Sequence, residues 1–135
     1  HTQTFQCEIA VLRRAEELTA TRIPHLVAAG IDSKGVRYIA MDRLGQDLHK
    51  IMESFRPTFS RPTGYRIALE TLSAIEELHK MKFLHRDIKL HNFVIGQEEH
   101  RDRIFLIDFG MTIPFSKRQS GKYCGSRRYA SRAAH

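Results

Sequence analysis

Residues 83–92 read "FLHRDIKLHN" and put a carboxylate, an arginine, a lysine and an amide into one polar stretch between two apolar segments. Upstream, apolar residues recur at helical spacing. Downstream, "NFVIG" (92–96) and "IFLID" (104–108) flank the polar "QEEHRDR" and predict a β-hairpin. Sixteen residues beyond Asn92 begins "DFG", Asp108 to Gly110. A hairpin of that span sets Asn92 and Asp108 side by side. An amide oxygen and a carboxylate there make a hard-oxygen site suited to Mg²⁺, which takes few protein ligands and fills its shell with phosphate oxygens. Asp87 then becomes an acceptor for a hydroxyl proton, and Lys89 balances charge on a phosphoryl group in transit. Together they suit phosphoryl transfer, where positioning and electrostatics supply most of the catalysis. Singly, each is also ordinary loop or capping chemistry; the joint spacing carries the reading.

The flanking chain predicts an α+β domain. In "CEIAVLRRAEEL" (7–18), Ile9, Leu12 and Ala15/Glu16 recur at helical spacing with charges opposite, and Pro24 then breaks the pattern. "HLVAAGI" and "VRYIAMD" read as two strands joined by the turn residues "DSKG" (32–35). "QDLHKIME" (46–53) reads as a short helix after Gly45. Pro57 and Pro62 bracket a loop, and Ser60 is the N-cap of the next helix. Ala68, Leu72 and Ile75 form the apolar stripe of that helix, with Leu78 beside it. From Gly110 onward periodicity fades into a long functional loop, and the chain holds no internal repeat.

Bulk composition sets the outer limits. The 135 residues suit one modest domain, and 41% apolar with 27% charged residues argues for a globular chain. The formal net charge is +7, and residues 117–132 hold six basic side chains and no acidic one. Such a run points to an anionic partner: phosphate, acidic peptide or nucleic acid. Without aromatic interleaving or a groove-reading helix, no specific nucleic acid is expected. Cys7 and Cys124 form no metal-binding pattern and fit a reducing compartment. No apolar run is long enough to span a bilayer, so no membrane partner is expected, and the chain reads as intracellular, in the cytoplasm or also the nucleus. The helical start and the end at "YASRAAH" read as cuts inside a larger fold.

"HRDIKLHN…DFG" resembles the catalytic loop and metal-binding motif of eukaryotic protein kinases, and the lysine of "HRDIK" resembles the serine/threonine class. "MDRLGQDL" resembles the casein kinase 1 hinge, which reads like "MELLGPSL". "HRDIKLHNFVIG" is similar to that family's "HRDIKPxNFxxG", and "GSRRYAS" to its "GTxRYAS". "EIAVLRR" and "FLHRDIK" look closest to the tau-tubulin kinase branch. The resemblance covers nearly the whole chain. It implies a partial protein-kinase-like fold: an N-lobe helix, the last N-lobe strands and the hinge over 1–44, then C-lobe helices, catalytic loop and hairpin up to the substrate-side loop over 45–135.

The resemblance also implies roles. Asp87 would be the catalytic base, Lys89 the phosphate-contacting lysine, and Asn92 and Asp108 the Mg²⁺ ligands. Glu8 matches the helix glutamate that pairs with the ATP-anchoring lysine, although it also reads as an ordinary helix-surface charge. Met41 matches the gatekeeper, the backbone of Asp42 and Leu44 would bond adenine, and Val94 would pack beneath it. Leu12, His85 and Phe109 match the hydrophobic stack between the lobes. Ser126 stands where a threonine braces the catalytic Asp and Lys, and Arg128 where an arginine receives acidic or pre-phosphorylated protein substrate. Ser116 or Ser120 could be phosphorylated and pair with Arg86. The cofactors implied are ATP and Mg²⁺.

Several positions depart from that pattern. Leu90 replaces a proline and His91 follows it, "ASRAAH" replaces "ASINxH", and "MTIPF" with Pro114 replaces a more basic stretch. The 135 residues include neither a glycine-rich loop nor a strand with the ATP-anchoring lysine, so by themselves they are expected neither to bind ATP well nor to phosphorylate. The alternative is a pseudokinase-like scaffold or binding module.

Overall fold

The computed structural model describes residues 2–55, 59–117 and 126–129. Helix α1 spans Thr2–Glu17 and buries Val11, Leu12 and Ala15. The expected stripe therefore holds at Leu12 and Ala15, with Val11 joining it and Ile9 half-buried. Two antiparallel strands follow, β1 (Leu26–Ile31) and β2 (Arg37–Met41), with Leu26 opposite Met41 and Ile31 opposite Arg37. The turn between them forms because Asp32 Oδ1 accepts from the amides of Lys34 and Val36, both at 2.8 Å. Gly35 takes the positive φ of 80° that closes it.

Helix α2 (Leu48–Ser54) starts one residue after Asp47, whose Oδ1 accepts from the Lys50 amide at 3.0 Å. Helix α3 (Arg61–Lys80) has Ser60 as its N-cap, as expected. Pro62 does not bound a loop. It sits in the first turn of α3, where no intrahelical partner awaits the N–H it lacks. Pro57 lies outside the described residues.

The α3 stripe needs correction. Ala74 and Leu78 are buried and Ile67 and Ile75 pack against the core, whereas Ala68 and Leu72 are exposed, Leu72 at 63%. The helix carries apolar residues on more than one face, and periodicity does not say which face meets the core. Packing on β5 (Ile104–Leu106) decides it.

Strand β3 (Phe83–Leu84) pairs with β6 (Ile113–Pro114), so part of the stretch after Gly110 is strand rather than loop. Strand β4 (Phe93–Ile95) pairs antiparallel with β5, Phe93 opposite Leu106 and Ile95 opposite Ile104. That is the predicted hairpin. One core joins the halves of the chain: Val11, Leu12, Ala15 and Ile23 pack with Leu48, Ala74, Leu78, Phe93, Leu106 and Phe109.

A polar clamp reinforces that union. Glu77 accepts from the Thr21 amide at 3.0 Å, the Thr21 hydroxyl at 2.7 Å and the Arg22 amide at 2.8 Å. Arg22 Nη2 reaches both oxygens of Glu70, at 3.0 and 3.1 Å. The loop after α1 is thus fastened to α3.

Candidate active site

The loop after β3 is held from both sides. His85, 2% exposed, donates Nε2–H to the Ile107 carbonyl at 3.0 Å and takes the Asp87 amide on Nδ1 at 3.3 Å. Burial, the largest influence, lowers its pKa and keeps the ring neutral, as those two bonds require. Its edge meets the Phe109 ring at a centroid distance of 5.6 Å, and Phe109 and Leu12 share the buried core. The histidine is a packed support for the loop, not a group facing solvent.

Lys89 is extended, with φ −158° and ψ 161°. In extended chain, residues two apart share a side. Lys89 Nζ accordingly meets Asp87 Oδ2 at 2.7 Å, and it lies 3.5 Å from Ser126 Oγ. The Ser126 amide donates to Asp87 Oδ1 at 2.9 Å. Burial alone would raise the Asp87 pKa; the Lys89 ammonium and the Ser126 hydroxyl and amide outweigh it and bring it down to about 2. Asp87 likewise raises the pKa of Lys89. Three residues expected to work together do converge.

Asn92 is 4% exposed and spends its Nδ2 on the Asp87 carbonyl at 2.9 Å, which leaves Oδ1 as an acceptor. The Asn92 carbonyl accepts the Ile107 amide at 2.9 Å, so the hairpin carries Asp108 to the position beside it. Asp108 is exposed and has a positive φ of 65°; Arg86, at the other approach to the site, has 68°. Both conformations are unfavourable for side-chain-bearing residues and mark a locally strained junction. One amide oxygen and one open carboxylate suit Mg²⁺, which binds to few protein groups. Among the described residues, no cluster of three or more His, Cys, Asp or Glu offers a competing metal site.

Glu8 faces the same junction from α1. Burial raises its pKa, Asp108 raises it further, and a bond from the Phe109 amide partly offsets both. It has no cationic partner among the described residues. Gly110 lets α1 come close: a Cβ there would lie 2.6 Å from Thr4 Cγ2. Arg86 donates Nε–H to the Met111 carbonyl at 2.6 Å, which is where its described bond goes rather than to Ser116.

The residues expected to form the hinge follow at the end of β2. Met41 ends β2 half-buried against the core. The Asp42 amide is spent on the His25 carbonyl at 3.2 Å, and the backbone of Leu44 makes no hydrogen bond to backbone among the described residues. Val94 is buried in β4, yet it stands outside the contiguous core. Arg128 is exposed, with its guanidinium 5.9 Å from the centre of the Tyr129 ring. Cys124, Ser120 and much of the basic run lie outside the described residues.

A model of the protein kinase domain matches residues 1–132. The chain belongs to the protein kinase domain family. Kinase domains of this family transfer phosphoryl groups to proteins and generally use ATP and Mg²⁺. The α+β arrangement of three helices and small antiparallel sheets fits a partial kinase fold. Two features of this kinase domain escaped the motif reading. Glu77 and Glu70 clamp the loop after α1, and His91, beside Asn92, stacks on His49 at 4.1 Å. A glutamate pair seven residues apart on one face of α3 was the available sign of the first.

Proposed function

We propose that this chain is the middle of a serine/threonine protein kinase catalytic domain of the casein kinase 1 type, nearest the tau-tubulin kinase branch. Residues 1–44 form the N-lobe remnant and hinge, and 45–135 the first half of the C-lobe. The observation that carries the reading is the Asp87–Lys89–Ser126 network, which holds a carboxylate ionised beside an ammonium. Asp87 orients the attacking Ser or Thr hydroxyl. With a pKa near 2 it is a weak base, so it takes the proton late, as the oxygen–phosphorus bond forms and the hydroxyl becomes acidic. Lys89 faces the transferring phosphoryl group. Asn92 and Asp108 would hold Mg²⁺, which draws charge off the phosphate oxygens when bound.

Met41, the backbone of Asp42 and Leu44, and Val94 would receive adenine. The Asp42 amide is already engaged, so its carbonyl is the group left for the exocyclic amine. Glu8 would pair with a lysine supplied from outside these 135 residues, and without it they have little ATP affinity or activity by themselves. Arg128, exposed beside Ser126, would receive acidic or pre-phosphorylated substrate. The protein works in the cytoplasm or nucleus.

The test uses the full-length gene product. Asp87→Asn should cut phosphoryl transfer by about 10²–10⁴-fold and keep nucleotide binding. Asp108→Ala should also weaken Mg²⁺-dependent nucleotide binding. Equal retention of activity in both variants overturns the assignment of roles.

A further inference from the structure

A cavity of about 360 Å³ lies between α2, the start of α3 and the β4–β5 hairpin, away from Asp87 and Asp108. Its wall is Leu48, Ile51, Phe55, Phe59, Ile67, Ile95 and Ile104, with two hydroxyls, Ser60 and Thr63. We propose that it is a binding site for a small, neutral, mainly apolar molecule, an aromatic ring or short hydrocarbon bearing one hydrogen-bond acceptor.

Three observations select that chemistry. Among the described residues, no ionisable side chain lines the cavity, so a charged ligand would lose its hydration without compensation from them. The volume falls within the range of small-ligand pockets, roughly 300–1,000 Å³. The acceptor follows from counting protons. Ser60 Oγ and Thr63 Oγ1 lie 2.9 Å apart, and either can donate to the other. Two hydroxyl protons thus serve one mutual bond, and whichever way it runs one proton remains for a ligand oxygen. The Thr63 amide, also on Ser60 Oγ at 3.4 Å, consumes an acceptor and not a donor.

The wall is firm on one side and open on the other. Leu48 and Ile104 are 1% and 5% exposed and belong to the core, so they fix the floor. Phe55 is 60% exposed and tilts against Phe59 at a centroid distance of 5.6 Å, so an aromatic pair forms the open side. Occupancy would be felt at the hinge. Ile95 takes the Gly45 amide on its carbonyl at 2.7 Å and gives its own amide to the Gln46 carbonyl at 3.0 Å. The site does not depend on the kinase chemistry.

The experiment titrates the 135-residue chain, labelled at isoleucine, leucine and valine methyls, with three probes of one shape. Acetophenone should shift the methyls of Leu48, Ile67, Ile95 and Ile104 saturably, and bind about 3- to 10-fold more tightly than α-methylstyrene, its isostere without the acceptor. Benzoate should not bind. Thr63→Val, an exposed change, should erase the preference for the ketone while the hydrocarbon still binds. Absence of saturable shifts at those methyls, tight benzoate binding, or an unchanged preference in Thr63→Val overturns the proposal. So does sedimentation showing a dimer that Phe55→Ser dissociates, since a second copy would then be the occupant.

Discussion

The Lys89 ammonium and the Asp87 carboxylate meet at 2.7 Å, two residues apart on the loop, with the Lys89 backbone extended. Lys89, together with Ser126, holds the Asp87 pKa down to about 2, a part separate from the phosphate contact proposed for it. Lys89→Met preserves the stem and removes the charge. In the active full-length protein it should lower kcat by about 10²-fold or more and move the acid limb of the rate profile to higher pH, since Asp87 then protonates more readily. A pH–rate profile checks this. A lower rate with an unmoved acid limb would leave Lys89 as a phosphate contact alone.

Two buried groups, Asp87 and His85, and the half-buried Glu8 give the chain a stability profile with opposing slopes. Asp87 has a depressed pKa in the folded state, so its contribution is present above about pH 4 and fades as pH falls toward 2. His85, also depressed, contributes above its unfolded value near 6.5 and loses that as pH falls through its folded value. Glu8 is raised, so its favourable protonated state is complete below 4.5 and is lost as pH climbs through the folded value. Glu8→Gln should therefore raise the Tm of the 135-residue chain at pH 7 and leave it nearly unchanged at pH 4. Thermal melts across that interval decide it; an equal effect at both values would mean the carboxylate is solvated.

The loop at residues 85–92 and the hairpin after it were legible because their signals are local. Asp–x–Lys in extended chain and two β-like runs around a polar turn depend on nearest neighbours, and the structure holds Asp87, Lys89 and Asn92 as that pattern requires. The α3 stripe was legible only in part: Ile75 and Leu78 meet the core, Ala68 and Leu72 do not. Leu69 and Leu72 are as apolar as Leu78, yet they are 65% and 63% exposed while Leu78 is fully buried. Only the position of β5 and of the loop at residues 21–22 distinguishes the faces, and those are tertiary facts. Ser126 differs: its bonds to Asp87 and Lys89 cross 39 and 37 residues of chain, and the family resemblance, not a local pattern, pointed to it.

Glu77 and Glu76 are neighbours with different work. Glu76 pairs with Lys80 at 3.0 Å, with both side chains more than half exposed. Such pairs are worth a few tenths of a kcal/mol, and Glu76→Ala should shift stability by less than about 0.5 kcal/mol. Glu77 instead caps two amides and a hydroxyl of the loop after α1. Its loss strands those donors and loosens the grip of α3 on Arg22, so Glu77→Ala should cost about 1–3 kcal/mol. Urea titrations of the two variants give the comparison. Equal midpoints would mean water replaces the clamp at no cost.

Gly45 marks where the hinge leaves for the C-lobe. A Cβ there would lie 2.9 Å from the Ile95 carbonyl oxygen, a backbone atom that cannot swing aside. That same oxygen accepts the Gly45 amide at 2.7 Å, so relieving the clash stretches the bond tying the hinge to β4. Gly45→Ala should destabilise the chain by about 1–3 kcal/mol. Because β4 also carries Val94, proposed above to pack against adenine, the full-length protein should on that proposal lose nucleotide affinity as well as stability. Gly64 supplies the control: it lies within α3 with no atom within 4 Å of an added Cβ, and alanine there should be neutral or stabilising. Denaturation of both variants, with nucleotide titration of the full-length pair, tests the argument. A Gly45→Ala variant as stable as Gly64→Ala would mean that the hinge exit has room the close approach to Ile95 denies.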